Sequence, residues 1–360
     1  MSEVKVNSIK GVGASVPAIS INNTDGTCTA NLTNKPNRNL IINGAMQVAQ
    51  RGTSSTTNGY GSVDRVQPYS ANTSVTTTHS QVAVTSGGAY DAGFRKAFQV
   101  TKPAGSVAAN GQIAINYAIE GQDIVNSGWK MTDPNSKLTL SFWVKSSVAN
   151  HNPTFYVQAY DTPSATQFFN GQVSALTADT WTKVTTVIPG HADIGIANDN
   201  TKGLVIGLNP WYGTDFTDAG NTNGAWTTFG TKPVDSTWLT TNGSTFQVTG
   251  YQLEVGSVAT DFEHRSFGQE LLACQRYYFK ETATYYAGLG YGSNASSNCL
   301  GVLQQPCVMR ATPTATLGTA SYWGGGPSGG GQTPSYSYIY GQPTSANGPR
   351  IAGYELSAEL

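Results

Sequence analysis

The stretch between Trp211 and Trp238 is the part of the sequence best suited to bind a ligand, because it mixes aromatic side chains with many Asn, Asp and Thr residues. Aromatic rings pack on the C–H faces of sugar rings, while amide and carboxylate groups pair with sugar hydroxyls. The stretch therefore predicts a glycan-binding surface, with the candidates Trp211, Tyr212, Asp215, Trp226 and Trp238. The alternative interpretation is that these rings close the ends of a domain or pack against a neighbouring subunit.

A second aromatic group lies near the C-terminus. Tyr322 and Trp323 are adjacent, and Tyr336, Tyr338 and Tyr340 alternate with smaller residues. We include Tyr322 and Trp323 among the candidate glycan-binding residues for the same chemical reason. The run Gly324–Gln332 that follows them is glycine-rich, which predicts an exposed, flexible loop.

Catalysis has weaker support in the sequence. Asp215 and Asp218 are the best carboxylate pair for a polysaccharide-degrading enzyme, but Asp in such loops more often forms Asx-turns. The one G-x-S-x-G match, Gly326–Gly330, lies in the glycine-rich run with no strand before it. His79, His151, His191 and His264 are too dispersed to indicate a metal cluster. We therefore expect no catalytic residue, no metal site and no cofactor, and a protein that is not an enzyme.

Composition and charge exclude further classes of function. The chain has 360 residues, of which only 11% are charged, and its net charge is −1. The chain therefore lacks the excess of positive charge with which proteins bind nucleic acid or an anionic membrane. No stretch approaches the roughly 18 apolar residues of a membrane span, and the first residues lack the apolar core of a secretory signal. Synthesis in a cytoplasm is the expectation.

Four scattered cysteines, Cys28, Cys274, Cys299 and Cys307, lack the close pairing typical of metal sites. Reduced, buried thiols are the expected state. A bridge between Cys299 and Cys307 is the alternative.

Strand signals outnumber helix signals along the chain. Segments that alternate apolar and polar residues, or that are rich in strand-forming types, are separated by turn-rich stretches. The clearest are Leu138–Lys145, Phe155–Tyr160, Trp181–Ile188, Gly203–Leu208 and Thr245–Val255. Their number and spacing predict an all-β protein with a β-sandwich or jelly-roll domain. Trp143 and Trp181, which lie in these segments, are expected in the core.

One helix is predicted, over residues 266–278. Ser266 would cap its start, and Gln269 stands in the capping-box position three residues later. Around this helix the composition divides the chain into an extended N-terminal segment (1–37), a jelly-roll domain (38–265), a helical connector (266–279) and a smaller C-terminal β-domain (280–360). The N-terminal segment contains no aromatic residue, so we expect it to be ordered only against a partner.

The start of the main domain carries fold-determining features. Leu40–Ile42 is expected to begin a buried strand, and Asn43-Gly44 is a strong tight-turn pair. Met46 and Val48 then alternate toward the core. Asp64 and Arg65 are adjacent, which suggests a local charge pair that ties down the following loop.

These same residues carry a resemblance to a known family. Asn37–Gly52, followed by Tyr60–Arg65, resembles the entry to a jelly-roll domain of phage tail fibre proteins, a domain similar to carbohydrate-binding modules. Val248–Arg265 resembles the exit strand of that domain, and Cys274–Tyr278 resembles its usual sequel.

Two further stretches extend the resemblance. Cys307–Thr314 and the terminal Ala358–Leu360 resemble the C-terminal unit of such fibres, so the matching motifs bracket residues 37–360. The leader Glu3–Ile9 is similar to short leaders of marine phage fibres.

The resemblance implies a structural virion protein, a tail fibre or appendage that mediates host-surface attachment, with a host glycan as one partner. It implies a homotrimer whose residues 1–37 anchor it to other tail or neck proteins. Jelly-roll modules of this kind often hold a structural calcium ion, although no Asp-x-Asp-x-Asp run supports one here. A polysaccharide-degrading enzyme, and an adaptor or capsid-decorating fibre without receptor contact, are the alternatives.

Overall fold

The computed structural model describes residues 6–10, 12, 19–21, 28–30, 37–160, 166–286, 299–321, 329–342 and 350–360. Within the described part of the N-terminal segment, three short antiparallel strands form a small sheet in the order β1-β2-β3. Their bounds are β1 (Ser8–Ile9), β2 (Ile19–Ile21) and β3 (Cys28–Ala30).

Twelve strands, three short helices and one 3-10 turn follow. The strands are β4 (Ser54–Ser55), β5 (Gln67–Ala71), β6 (Thr78–Ala83), β7 (Lys96–Thr101), β8 (Gln112–Glu120), β9 (Lys137–Ser146), β10 (Thr154–Ala159), β11 (Gln167–Gln172), β12 (Thr182–Pro189), β13 (Lys202–Tyr212), β14 (Trp226–Thr227) and β15 (Thr245–Val255). The helices are α1 (Gly88–Asp91), α2 (Gly121–Val125) and α3 (Thr237–Thr240), and the 3-10 turn is Thr214–Phe216.

These strands form two six-stranded antiparallel sheets. The order in sheet I is β14-β11-β10-β13-β8-β5, and the order in sheet II is β12-β9-β15-β7-β6-β4. Their inner faces share one hydrophobic core, in which Phe142 of sheet II contacts Phe155 of sheet I edge-to-face, with ring centroids 5.5 Å apart. The protein is therefore a jelly-roll β-sandwich, as the sequence predicts.

The C-terminal residues continue the all-β pattern after one longer helix, α4 (Phe267–Gln275). The remaining strands are β16 (Tyr278–Tyr286), β17 (Cys299–Leu303), β18 (Thr314–Leu317), β19 (Ala320–Ser321), β20 (Gly329–Gln332), β21 (Ser337–Gly341) and β22 (Arg350–Ser357). They form a sheet in the order β16-β22-β18, with β19 also paired to β22, and a sheet in the order β17-β21-β20. A separate small core lies between them, built around Leu303, Ile339 and Leu356.

The predicted capping box of α4 is confirmed. The Ser266 hydroxyl accepts a hydrogen bond from the Gln269 backbone N–H, and the Gln269 side chain accepts one from the Ser266 backbone N–H at 3.0 Å. At the other end of α4, Arg276 donates two hydrogen bonds, at 2.8 and 2.9 Å, to the buried carboxylate of Glu120. Because Glu120 ends β8, this pair fixes α4 against sheet I.

Three local expectations need correction. Leu40–Ile42 is irregular rather than a strand, although the Leu40 N–H still donates to the Leu253 carbonyl. The glycine-rich run is a paired strand over Gly329–Gln332, because its backbone bonds to β21, and residues 324–328 lie outside the described residues. Trp143 is half-buried and packs on the outer face of sheet II.

Cys274 and Cys307 are free thiols, as expected, although only Cys274 is buried. The alternative, a bridge between Cys299 and Cys307, is therefore absent.

The adjacent Asp64 and Arg65 do not pair with each other. Asp64 accepts hydrogen bonds from the backbone and side chain of Gln50, and burial raises its pKa to about 6. The guanidinium of Arg65 points into the protein instead and is 1% exposed. It contacts the carboxylate of Glu359, donates to the Ala118 carbonyl at 2.7 Å and lies 3.5 Å from the ring centre of Tyr277.

Arg65 therefore joins the entry of the jelly roll to β8 and to the end of the chain. We expect Arg65→Met to lower the free energy of unfolding by about 3 kcal/mol, because it removes a charged partner from buried acceptors. Chemical denaturation with urea measures this value. The matched control is Arg95→Met, since Arg95 is exposed and lies over the Tyr90 ring at 3.9 Å. A loss for Arg65→Met no larger than that of the control would contradict the assignment.

The buried ring of His151 should make the free energy of unfolding depend on pH. Its ring is 2% exposed and stacks on Trp238, its Nε2 lies 2.7 Å from the Pro210 carbonyl oxygen and its Nδ1 lies 3.1 Å from the Ser146 hydroxyl. These partners suit a neutral ring that donates from Nε2. Burial lowers the pKa of His151 to about 4. Because the folded state binds the proton less readily than the unfolded state, this contribution to stability is complete above about pH 6.5 and is lost toward pH 4.

We therefore expect the destabilisation caused by His151→Gln to be largest at pH 7 and to shrink by about 3 kcal/mol as the pH falls to 4. The comparison with wild type at each pH removes the contributions of His79, whose pKa burial also lowers to about 4, and of Asp64. His191, which is half-buried at the surface beside Asp193, supplies the control variant His191→Gln. A constant difference across the range would show that His151 does not couple protonation to folding.

Candidate functional site

Two of the predicted glycan-binding residues are core residues, which corrects their assignment. Trp238 is 0% exposed, stacks on His151 at 5.4 Å and donates its indole N–H to the Thr245 carbonyl at 3.0 Å. Trp211 is 2% exposed, because a register shift between Leu208 and Trp211 turns this ring toward the inner face of sheet I. Neither ring presents a face to solvent.

Trp226 occupies an intermediate position. Its ring packs edge-to-face on Phe169 with centroids 5.6 Å apart, and its indole N–H donates to the Pro189 carbonyl at 2.8 Å. It closes the edge between the two sheets, so its main contacts are structural. Tyr322 and Trp323 lie outside the described residues.

Asp215 and Asp218 do not form a carboxylate pair directed at one cavity. Asp215 is exposed on the 3-10 turn. The Asp218 side chain accepts a hydrogen bond from the Gly220 N–H at 2.8 Å, which is the Asx-turn alternative.

Tyr212 is the predicted residue that does line a cavity. On the outer face of sheet I, a shallow cleft of 160 Å³ is bounded by aromatic side chains and by the loop after β14. Its lining residues are Tyr156, Phe168, Tyr212, Phe216, Phe229, Gly230 and Thr231. We call this cavity the aromatic cleft. Phe229, which is 52% exposed, offers an open ring face at its rim.

Strand alternation places these rings on the outer face. In β10, Phe155 and Val157 belong to the core, so Tyr156 between them points outward. Phe168 of β11 lies on the same side and contacts Tyr156 edge-to-face at 5.7 Å. The sequence carried a signal for both, because in each strand one of two adjacent aromatic residues must face away from the core.

The ring of Tyr156 occupies the space above Gly207 on the neighbouring strand. A Cβ atom at position 207 would lie 2.2 Å from this ring, so only glycine permits the approach. The Tyr156 hydroxyl donates to the Asn116 side-chain oxygen at 3.1 Å and also bonds to the Tyr212 hydroxyl. Burial raises the pKa of Tyr156 to about 12 and raises that of Tyr212 as well. Both phenols therefore stay neutral near pH 7 and act as hydrogen-bonding groups.

Buried amides lie beside the aromatic cleft. Asn170, which is paired in register with Tyr156, is 1% exposed, and neither polar atom of its side chain has a partner among the described residues. The side-chain oxygen of Asn209 is likewise unpaired within this part of the chain, while its amide nitrogen lies 3.4 Å from the Thr154 hydroxyl. An unpaired buried polar group costs about 1–3 kcal/mol, so such groups suit a hydroxyl-bearing ligand or ordered water.

No charged side chain lines the aromatic cleft, as far as the described residues show. The nearest charged residues along the chain are the exposed Asp215, next to Phe216, and the partly exposed Lys232, next to Thr231. Rings, phenols and amides together can hold a neutral, hydroxyl-rich molecule.

A larger cleft of 660 Å³ lies between the entry segment, α2 and the start of α4, and its lining includes Asp123 and Glu263. Glu263 is already engaged, since it accepts hydrogen bonds from the Asn39 backbone N–H at 2.8 Å and from Arg265 at 3.3 Å. Burial raises the pKa of Asp123, and the neighbouring Glu120 adds to the shift. The pKa of Asp123 therefore lies above that of a free Asp, whereas Glu263, the other carboxylate lining this cleft, is held by its hydrogen bonds to Asn39 and Arg265.

Among the described helices, none is long and apolar enough to cross a membrane. No protein-family model matches the sequence, and no curated protein sequence matches it either.

Searches of solved structures find jelly-roll neighbours. The enzymatically active domain of tailspike protein 4 of bacteriophage CBA120 matches over 62% of this chain and 22% of that one, with 11% identity and a TM-score of 0.33. A family 11 carbohydrate-binding module from a cellulosomal cellulase of Clostridium thermocellum matches over 59% and 98%, with 12% identity and a TM-score of 0.29. A family 4 carbohydrate-binding module matches over 60% and 99%, with 14% identity and a TM-score of 0.32. Likenesses at these scores carry no argument about ligand or activity.

Proposed function

We propose that this chain is a non-catalytic glycan-recognition protein and that its binding site is the aromatic cleft of sheet I. The observation that carries the proposal is a cleft lined by rings and neutral phenols without a charged side chain, with the buried, unpaired Asn170 amide on the strand beside it. Rings supply stacking on C–H faces, and amides supply directed hydrogen bonds to hydroxyls. A neutral glycan satisfies both kinds of group.

The setting that we propose for this activity is a phage particle. The motifs Asn37–Gly52, Val248–Arg265 and Cys307–Thr314, which resemble those of tail fibre proteins, support it. In this setting the protein is a tail fibre or appendage that attaches to tail or neck proteins through residues 1–37 and presents its sandwich to the host surface. An adaptor fibre that carries a separate receptor-binding protein is the alternative.

A polysaccharide-degrading enzyme is the second candidate function, and one observation favours it. Asp123 lies in the 660 Å³ cleft with a raised pKa, which is the property of a general acid in glycoside hydrolysis. The engagement of Glu263 in backbone hydrogen bonds argues against a second catalytic carboxylate there.

The glycan proposal predicts a specific effect of Phe229→Ala. The open ring face of Phe229 contributes about 1 kcal/mol of stacking, so we expect the substitution to weaken glycan binding about five-fold. A neutral-glycan array followed by titration calorimetry measures the effect. Val258→Ala is the matched control, because Val258 is 65% exposed but follows β15 of sheet II and does not line the aromatic cleft. Equal affinities of the two variants would exclude Phe229 from the site.

Asn170→Leu tests whether the Asn170 side chain contributes to glycan affinity rather than to the stability of the fold. Because the Asn170 amide has no described partner, its replacement by an apolar side chain of similar size should leave the thermal midpoint unchanged or higher. The same change should weaken glycan binding about ten-fold if the amide contacts hydroxyls. Unchanged affinity in a folded Asn170→Leu protein would contradict this role.

Release of reducing ends from host polysaccharide tests the enzymatic alternative in the same preparations. We expect none from the wild-type protein. If the wild-type protein released reducing ends and the Asp123→Asn variant did not, the protein would be a polysaccharide-degrading enzyme and the non-catalytic proposal would be wrong.

We also propose that the protein assembles as a homotrimer. Three exposed apolar side chains, Phe267 and Leu272 of α4 and Val308, support an interface in that region. Val308 is near α4, since Cys307 next to it contacts the Leu272 carbonyl. Light scattering of the full-length protein should give three times the chain mass of 37.9 kDa. A stable monomer at micromolar concentration would contradict the proposal.

A further inference from the structure

A second enclosed pocket lies on the outer face of sheet II, on the opposite side of the sandwich from the aromatic cleft. Its volume is 330 Å³. Pockets for small molecules span about 300–1,000 Å³, so this one has room for a single ring rather than a chain of rings. We call it the sheet II pocket.

A β-bulge brings two of the lining rings close to the backbone. The register between β15 and β9 shifts between Thr249 and Gln252, and Gly250 within the shift has a φ of +67°. A Cβ atom at this position would lie 2.6 Å from Phe94 Cζ and 3.0 Å from Trp143 Cδ1. The two rings therefore pack directly on the Gly250 backbone, and a side chain there would displace them from the lining of the sheet II pocket.

Aromatic rings line the sheet II pocket and pack against one another. Phe94 and Phe262 contact edge-to-face with centroids 4.8 Å apart, and the His264 ring lies 4.9 Å from Phe262. The His264 Nε2 is 3.1 Å from the Ala92 carbonyl oxygen, which fixes this ring at the rim. Trp143 faces outward from β9 and completes the lining.

Carboxylates outnumber cationic groups at the rim. Asp91 and Asp261 are both exposed and line the sheet II pocket, and neither forms an ion pair with another described residue. Lys183, opposite Trp143 in the register of β12 and β9, also lines it and is exposed. The aromatic cleft, by contrast, has an uncharged lining, so the two sites suit different ligands.

We propose that the sheet II pocket binds a single sugar ring that carries a free ammonium group, a hexosamine. The faces of aromatic rings attract a cation, and the attraction strengthens as the cation is desolvated in a pocket. Asp91 and Asp261 supply charge-assisted acceptors for the same ammonium group, while the Ser141 hydroxyl supplies a donor for a ring hydroxyl. The volume limits the ligand to one ring. This site is independent of the aromatic cleft.

The experiment compares glucosamine with N-acetylglucosamine, which has the same ring without the positive charge, by NMR titration of the full-length protein. We expect glucosamine to bind with a Kd on the order of 1 mM and N-acetylglucosamine to bind at least about ten-fold more weakly. Asp261→Asn should weaken glucosamine binding about five-fold, since it removes one acceptor charge. Binding is read from the Trp143 and His264 side-chain signals, because these residues line the sheet II pocket and not the aromatic cleft.

Lys183→Met is the counterpart of Asp261→Asn, because it removes a positive rather than a negative charge from the rim of the same pocket. If the ligand is a cation, removal of Lys183 lowers the positive charge at the rim, so glucosamine should bind at least as tightly as to the wild-type protein. Equal loss of affinity in Lys183→Met and Asp261→Asn would indicate recognition of neutral hydroxyls and overturn the proposal. Equal binding of the two sugars, or no binding of glucosamine, would overturn it as well. None of these outcomes depends on whether the aromatic cleft binds a glycan.

Discussion

Each strand of the sandwich has two faces, and only one of them can enter the shared core. Side chains alternate between the two faces, so once one residue points into the core, the directions of all the other side chains in that regular strand follow. In β10, burial of Phe155 and Val157 forces Tyr156 outward, and in β9, burial of Phe142 and Val144 forces Trp143 outward. The core and the aromatic linings of both surface pockets therefore result from the same constraint.

Departures from regular alternation shape the pockets and the sandwich ends. The register shift in β13 turns Trp211 into the core, while at the bulge in β15 the rings of Phe94 and Trp143 pack on the Gly250 backbone. A bulge breaks the pairing locally, bends the strand and redirects side chains. These two irregular positions therefore decide which aromatic rings enter the core and which line a surface pocket.

Long-range polar contacts then join the sandwich to the C-terminal strands. Arg65 reaches Glu359 and the ring of Tyr277, and Arg276 after α4 reaches the buried Glu120 of β8. Arg51 adds a second contact to Glu359 at 3.1 Å. Because these charges are buried and have partners from separate parts of the chain, they hold the two β-units in one arrangement.

The sequence by itself determined the all-β class, the main strands and the cap of α4, because alternation, turn residues and capping act over a few neighbouring residues. It also pointed to an aromatic region at 211–238, from which the structure places Tyr212 and Phe229 at the aromatic cleft and buries Trp211 and Trp238. Only the tertiary structure decided that division, since it depends on strand register and on bulges. The same holds for the partner of Arg65, which is Glu359 rather than its neighbour Asp64, and for the meeting of Phe94, Trp143 and Asp261 in the sheet II pocket. Such contacts join residues far apart in the chain, and no local pattern specifies them.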